Sequence, residues 1–278
     1  MLDLEAALRL IPDVDLDLTS CDLCGPHGLP PPVVVTLARR PDRWLAAENA
    51  WREHGVKRII KATAVDGQTL SRSVLAAVMA EPNAVEMPLA HYLQMTRPAV
   101  GCFLSHLTLW KRFLKSGAER ILILEDDAVP TTDCTSAHTR AVMAALPADA
   151  DMVLLGCTIM DGLAEPTTDP RLTRVYYYNG TYGYILTRRG CQKLLPRLLP
   201  IVTHIDNQIS LELVRDRAGL RVYCCEPRLI GHNFSVYSDV YVPVIDTSLA
   251  DRRLDGIFKE CRAQLLRDGA RLFAMHQP

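Results

Sequence analysis

Three consecutive carboxylates, Glu125, Asp126 and Asp127, follow the aliphatic run Ile121 to Leu124. Acids this close repel one another, so they need a cation or raised pKa values. Mn²⁺ or Mg²⁺ is the simplest compensation. Such hard ions take oxygen ligands and bind through one or two carboxylates plus substrate phosphates, which points to a nucleotide-linked substrate. Along an extended chain, Glu125 and Asp127 project to one side and Asp126 to the other. The plainer reading is a solvated acidic turn that caps the next helix.

Other residues offer complementary chemistry. Arg39, Arg40 and Arg43 cluster at an expected helix start and suit phosphate oxygens. Asp66 ends an expected strand, where it could accept from a ribose. The bland alternatives are surface arginines and a turn-forming Asp. His106 lies on an apolar helical row with Cys102, Leu109 and Phe113, so it is buried or aimed into a pocket. Ser105 beside it falls near the expected helix start, where free N–H groups favour anions. Asp206 begins another helix and reads as its cap. His232 stands in a short polar turn.

These residues need elements to hold them. Ile121–Leu124 is apolar on both faces, as in a central strand of a parallel sheet, and ligands of open α/β sheets bind beyond the strands' carboxyl ends. A strand over 33–37, a helix from Pro41 to about His54 and a strand over 59–64 form a βαβ unit. Phe103, Leu107, Trp110 and Leu114 share one face of a helix over 101–114. Further helices are expected over 71–80, 136–145, 187–195 and from 206 towards 219, with strands over 152–155 and 220–224. Residues 81–98 read as a loop able to fold over a ligand. Arg174–Tyr178 and Gly183–Leu186 read as two arms of a hairpin with Asn179-Gly180 at its tip.

At 278 residues the chain can bury a full α/β core, and a net charge of −1 gives no reason to expect nucleic acid. Nine irregularly spaced cysteines fit reduced thiols of a cytoplasmic protein. The start lacks the pattern of a secretory signal, and no apolar run is long enough to span a membrane. Residues 1–32 read as a flexible leader. Cys21, Cys24 and His27 within it have the spacing of half a zinc site, without a matching second half. Residues 33–245 read as the main domain and 246–278 as a C-terminal packing helix. Its basic side is solvated, or makes peripheral contact with the inner face of an anionic membrane.

Taken in order, VVVTLARRPDRW, AVDG, GCFLSHLTLWKRFL, ILILEDD, YGYILTRRGCQKLL and HIDNQISLEL resemble glycosyltransferase family 25 over roughly residues 33–235. Its members include lipooligosaccharide and collagen galactosyltransferases. The resemblance implies a GT-A, Rossmann-like fold with a mostly parallel sheet between helices. It also implies a UDP-sugar donor, inversion at the anomeric carbon, and a glycan or glycolipid acceptor in lipooligosaccharide or surface polysaccharide synthesis. A hydroxylysine-bearing protein is the alternative acceptor, and a non-catalytic nucleotide-sugar-binding domain the alternative class. Glu125-Asp126-Asp127 match the family's Asp-x-Asp metal motif, which makes Asp127 a metal ligand, with Glu125 or Asp126 on ribose or a metal-bound water. Arg39, Arg43 and Asp66 match nucleotide-side positions, and Ser105 and His106 the Ser-His pair near the donor. Asp206 is implied as the base, and His232 as a further metal ligand. Thr36 and Ala38 depart from the Asn and Asp usual in the first strand motif.

Overall fold

The computed structural model describes residues 29–79, 95–159, 163–216 and 219–233. Residues 1–28 of the expected leader, most of the expected loop over 81–98 and the C-terminal helix therefore fall outside the described residues, and the leader's last residue, Pro32, already belongs to the first strand.

The first strand, β1 (Pro32–Thr36), is PVVVT and buried throughout. Helix α1 (Pro41–Glu53) starts on its proline, whose fixed φ suits a first helical turn. The chain returns as β2 (Ile60–Thr63), parallel to β1. A 3₁₀ turn over Gly67–Thr69 and α2 (Arg72–Val78) follow. Helix α3 (Arg97–Lys115) leads into β3 (Arg120–Glu125), and a short β4 (Ala128–Pro130) comes directly after the acids. Next are α4 (Ser136–Ala145), β5 (Met152–Ile159), β6 (Ala164–Pro166), β7 (Leu172–Val175) and β8 (Tyr178–Thr187). The described chain closes with α5 (Arg188–Leu194), α6 (Ile205–Arg215), β9 (Val222–Cys225) and β10 (Ile230–His232).

Eight strands form one sheet in the order β2-β1-β3-β8-β5-β9-β7-β6. β8 and β7 run against the other strands, so the sheet is mixed but mostly one-directional. Both faces are covered. Val33, Ile121 and Ile123 pack with Phe103, Leu107 and Trp110 of α3 on one face. Val34, Leu122 and Leu124 pack with Trp51 of α1 on the other. This two-sided cover explains the unbroken aliphatic run before the acids.

Three local expectations are corrected. Helix α3 begins at Arg97, capped by the Thr96 hydroxyl with Pro98 in its first turn, so Ser105 lies inside the helix and not at its anion-favouring end. Asn179-Gly180 is no hairpin tip. It lies within β8, which pairs with β3 and β5, whereas β7 pairs with β6 and β9. His232 sits in β10, antiparallel to β4 and opposite Ala128, not in a turn.

The small sheet of β4 and β10 can lie against the main sheet only where side chains are missing. A Cβ on Gly156 of β5 would come within 2.1 Å of the Ile230 carbonyl oxygen. Gly156→Ala should therefore push β10 outward and destabilise the fold by about 1–3 kcal/mol, the usual range for overpacking. A lowered urea midpoint at unchanged m-value would report it.

Candidate active site

A cleft opens at the carboxyl ends of β1, β2 and β3, where sheets of this kind hold ligands. Thr36 at the end of β1, Arg39 after it, Arg43 of α1, Asp66 after β2, and Cys102 and His106 of α3 line it together with the three acids.

The acids meet one buried cation. Arg43 Nη2 lies 2.5 Å from Asp126 Oδ1 and 2.8 Å from Asp127 Oδ2, with all three side chains about one-tenth exposed or less. α1 places the guanidinium there because its other buried residues, Ala47 and Trp51, seat the helix on the sheet. Trp51 also donates to the Ala128 carbonyl, tying α1 to the strand after the acids (3.3 Å). One guanidinium does not balance three carboxylates. Burial pushes Asp126 up to about 6 despite the pull of Arg43. Asp127 is raised as well, by burial and by the charge of Glu125. Glu125 goes the other way. Burial would raise it, but His106 and the Thr181 hydroxyl outweigh that and leave it lowered.

His232 reaches the cluster from β10, with Nε2 3.2 Å from Asp127 Oδ2. Asp127 Oδ1 is buried without a hydrogen-bond partner. Arg39 and Asp66 pair with each other (2.9 Å) at the more exposed rim. Arg40 turns away onto Asp42. Ser105 also lines the cleft. Its hydroxyl donates to the Gly101 carbonyl at 2.7 Å and accepts from Val65 N–H at 2.8 Å, pinning the loop after β2 to α3.

Asp206 comes from the first turn of α6, but it does not cap that helix, since the N-cap residue is His204. Its Oδ2 accepts from Gly180 N–H (2.7 Å) and its Oδ1 from Asn207 N–H (2.8 Å). Burial raises its pKa, the Gly180 bond draws it back, and Glu125 is near enough to push it upward.

Sequence reasoning missed the wall that organises these groups, the first half of β8. Thr181 donates to Glu125, the Tyr182 ring lies 5.0 Å from the His232 ring, and the Tyr184 hydroxyl meets His106 Nδ1 at 2.7 Å. Strict alternation would put Tyr182 and Tyr184, two residues apart, on one face of the sheet, yet Tyr184 packs in the α3-side core and Tyr182 against the opposite one. The pairing with β5 slips, so that Gly156 faces Gly183 but Thr158 faces Asn179, which gives β8 extra residues at this point. Such bulges re-aim side chains. Gly180, at φ +87°, accommodates the bend, and a Cβ there would strike the Tyr182 ring. Asn-Gly was the available signal, since it marks a bulge as readily as a turn.

The sequence profile described as glycosyltransferase family 25 (LPS biosynthesis protein) matches residues 30–209, from the start of β1 to the second turn of α6. The chain belongs to glycosyltransferase family 25. Among its relatives, a Drosophila melanogaster glycosyltransferase 25 family member is 30% identical over 178 residues, 60% of this chain and 29% of that protein. A zebrafish (Danio rerio) protein named procollagen galactosyltransferase 1 is 25% identical over 233 residues, 77% of this chain and 38% of that one. A Bos taurus protein named as a probable inactive family member 3 is 28% identical over 179 residues, covering 60% and 30%. The matches thus span about a third of each relative. Within this family-25 chain, Arg39, Arg43, Asp66, His106, the three acids and Asp206 fall inside the profile match, and His232 lies beyond it.

Removing the buried guanidinium isolates the charge of two acids. Arg43→Met should cost about 3–5 kcal/mol, as for a broken buried ion pair. Adding Asp126→Asn should recover a large part of that loss. Denaturation midpoints of the single and double variants at neutral pH provide the check.

Proposed function

We propose that this family-25 chain is a metal-dependent inverting glycosyltransferase that moves a hexose from a UDP-sugar to an acceptor hydroxyl. The observation that carries the reading is the excess of carboxylate over cation at the cleft, together with the partnerless buried Oδ1 of Asp127.

Asp127 and Glu125 offer the carboxylate oxygens that suit Mn²⁺ or Mg²⁺, and His232 adds a nitrogen 3.2 Å from Asp127. Among the described residues the ligand atoms already gathered closely enough to share an ion are those of Cys102, His106 and Glu125, so a site on Asp127, Glu125 and His232 needs their side chains to draw together. Cys102 lies near His106 and Glu125, but burial pushes its thiol well above its usual range, so it offers no ready thiolate. When bound, the ion supplies Lewis-acid neutralisation of the departing diphosphate. The protein's own groups do the rest. Arg39 and Asp66 at the rim hold the phosphate and ribose side. Thr181 and Arg43 keep the acids fixed in orientation. Asp206, held against Gly180 of β8, takes the proton of the acceptor hydroxyl. A carboxylate with raised pKa suits that task, because a base works best when its pKa approaches the working pH. The backbone N–H groups of Gly180 and Asn207 hold both of its oxygens, so its position is set before the acceptor arrives.

Relatives named procollagen galactosyltransferase favour galactose as the hexose. The family description favours a glycan or glycolipid acceptor in lipooligosaccharide or surface polysaccharide synthesis, and a hydroxylated protein is the second choice. We place the reaction in the cytoplasm, at or near the inner membrane face. No helix among the described residues is long and apolar enough to cross a membrane. Relatives named as inactive favour a second reading, in which the cleft binds a sugar nucleotide without turnover.

Thermal shift with UDP and Mn²⁺ should stabilise the wild type and leave Asp127→Asn unmoved. An equal response from both would remove Asp127 as the metal ligand. Asp206→Asn should keep UDP-galactose binding and lose turnover by about 10²–10⁴-fold, the usual worth of a general base. Unchanged turnover at saturating acceptor would place the base elsewhere. Donor binding by the wild type without product from any acceptor would support the binding-only reading.

A further inference from the structure

His106 has no exposed surface, yet its Nε2 has no hydrogen-bond partner. That nitrogen borders the cleft, 3.8 Å from Glu125 Oε1, beyond normal hydrogen-bond reach yet near enough to help keep Glu125 ionised. Glu125 Oε1 already accepts from Thr181. A buried ring nitrogen left unpaired is costly unless a ligand supplies the partner.

The far side of the ring decides what Nε2 can offer. His106 Nδ1 is 2.7 Å from the Tyr184 hydroxyl, and Trp110 Nε1 is 2.8 Å from the same oxygen. An indole N–H can only donate, so the Tyr184 oxygen accepts from Trp110; among the described residues His106 Nδ1 is the one other group within hydrogen-bond reach of this buried hydroxyl, so its single proton is satisfied only there. With Nδ1 accepting, the ring proton sits on Nε2 and faces the cleft. Tyr184 and Trp110 are themselves fully buried, and their rings meet edge to face at 6.3 Å, which leaves little freedom to rearrange.

We propose that Tyr184 is a positioning residue whose hydroxyl, held by Trp110, fixes His106 with Nε2–H aimed into the cleft, where it donates to an oxygen of the sugar being transferred. The proposal rests on the UDP-sugar reading. The sugar is taken as the partner because His106 lies beside Glu125 of the acid cluster, whereas the proposed function gives the phosphate and ribose side to the paired Arg39 and Asp66. The hydrogen bond orients the donor sugar, and no proton is transferred.

Two arms test it. In ¹⁵N-histidine NMR of the ligand-free protein, with the His106 signal identified by its loss in His106→Gln, wild type should show a proton on Nε2 alone. Tyr184→Phe should spread that proton over both nitrogens. A wild-type ring protonated on Nδ1, or a Tyr184→Phe spectrum like the wild type's, overturns the role of Tyr184. Calorimetry with UDP-galactose and Mn²⁺ forms the second arm and does not depend on Tyr184→Phe folding. His106→Gln, whose amide reaches the Nε2 position, should bind within about threefold of wild type. His106→Asn, which mimics only Nδ1, should bind about tenfold more weakly, the typical worth of one hydrogen bond. Affinity for UDP alone should be the same in both variants. Equal losses in the two variants, or equal losses for UDP and UDP-galactose, overturn donation to the sugar. If wild type binds no UDP-galactose, the functional reading falls and the donation with it, while the spectra still decide whether Tyr184 sets the ring.

Discussion

Arg43 is the point on which the site balances. Its guanidinium is the buried cation that lies between Asp126 and Asp127, and it arrives there on a helix seated by Ala47 and Trp51. Without it two carboxylates would face each other in a place that water scarcely reaches, where charge is most costly. With it, the cluster still carries more negative than positive charge. Burial, ahead of mutual repulsion, raises both Asp126 and Asp127.

The second constraint is geometric. The acids sit at the end of β3, but the groups that hold them come from distant parts of the chain: α1 from before β2, β8 from after β7, and β10 beyond those. β8 carries the largest share. Its bulge lets one short stretch touch Glu125, His106, His232 and Asp206. A regular strand would send alternate residues away from the cleft. The irregular pairing is therefore what brings β8 into contact both with the acids after β3 and with Asp206 of α6.

Burial adds a further layer. Ser105, expected to meet an anion at a helix end, instead fastens the loop after β2 to α3. Asp206, expected as a cap, is gripped by backbone N–H groups from β8 and from its own helix. Both residues keep their place near the cleft, yet their hydrogen-bond partners are set by neighbours far along the chain.

The chain's own order of residues determined a good deal. The aliphatic run before the acids announced a central strand covered on both faces. Pro41 marked the start of α1, and the periodicity of Phe103, Leu107 and Trp110 marked the buried face of α3. These features are local, since periodicity, proline geometry and hydrophobic runs act within a few residues. The candidate residues were also legible, because carboxylates, histidines and arginines at element ends are visible one by one. What the sequence did not carry was pairing. That Arg43 lies between two acids, that Tyr184 turns His106, that His232 approaches Asp127 and that Asn179-Gly180 bulges inside a strand all depend on segments tens of residues apart meeting in one register. Such contacts arise from the packing of the whole sheet and from glycine gaps such as Gly156, so only the tertiary structure decided them.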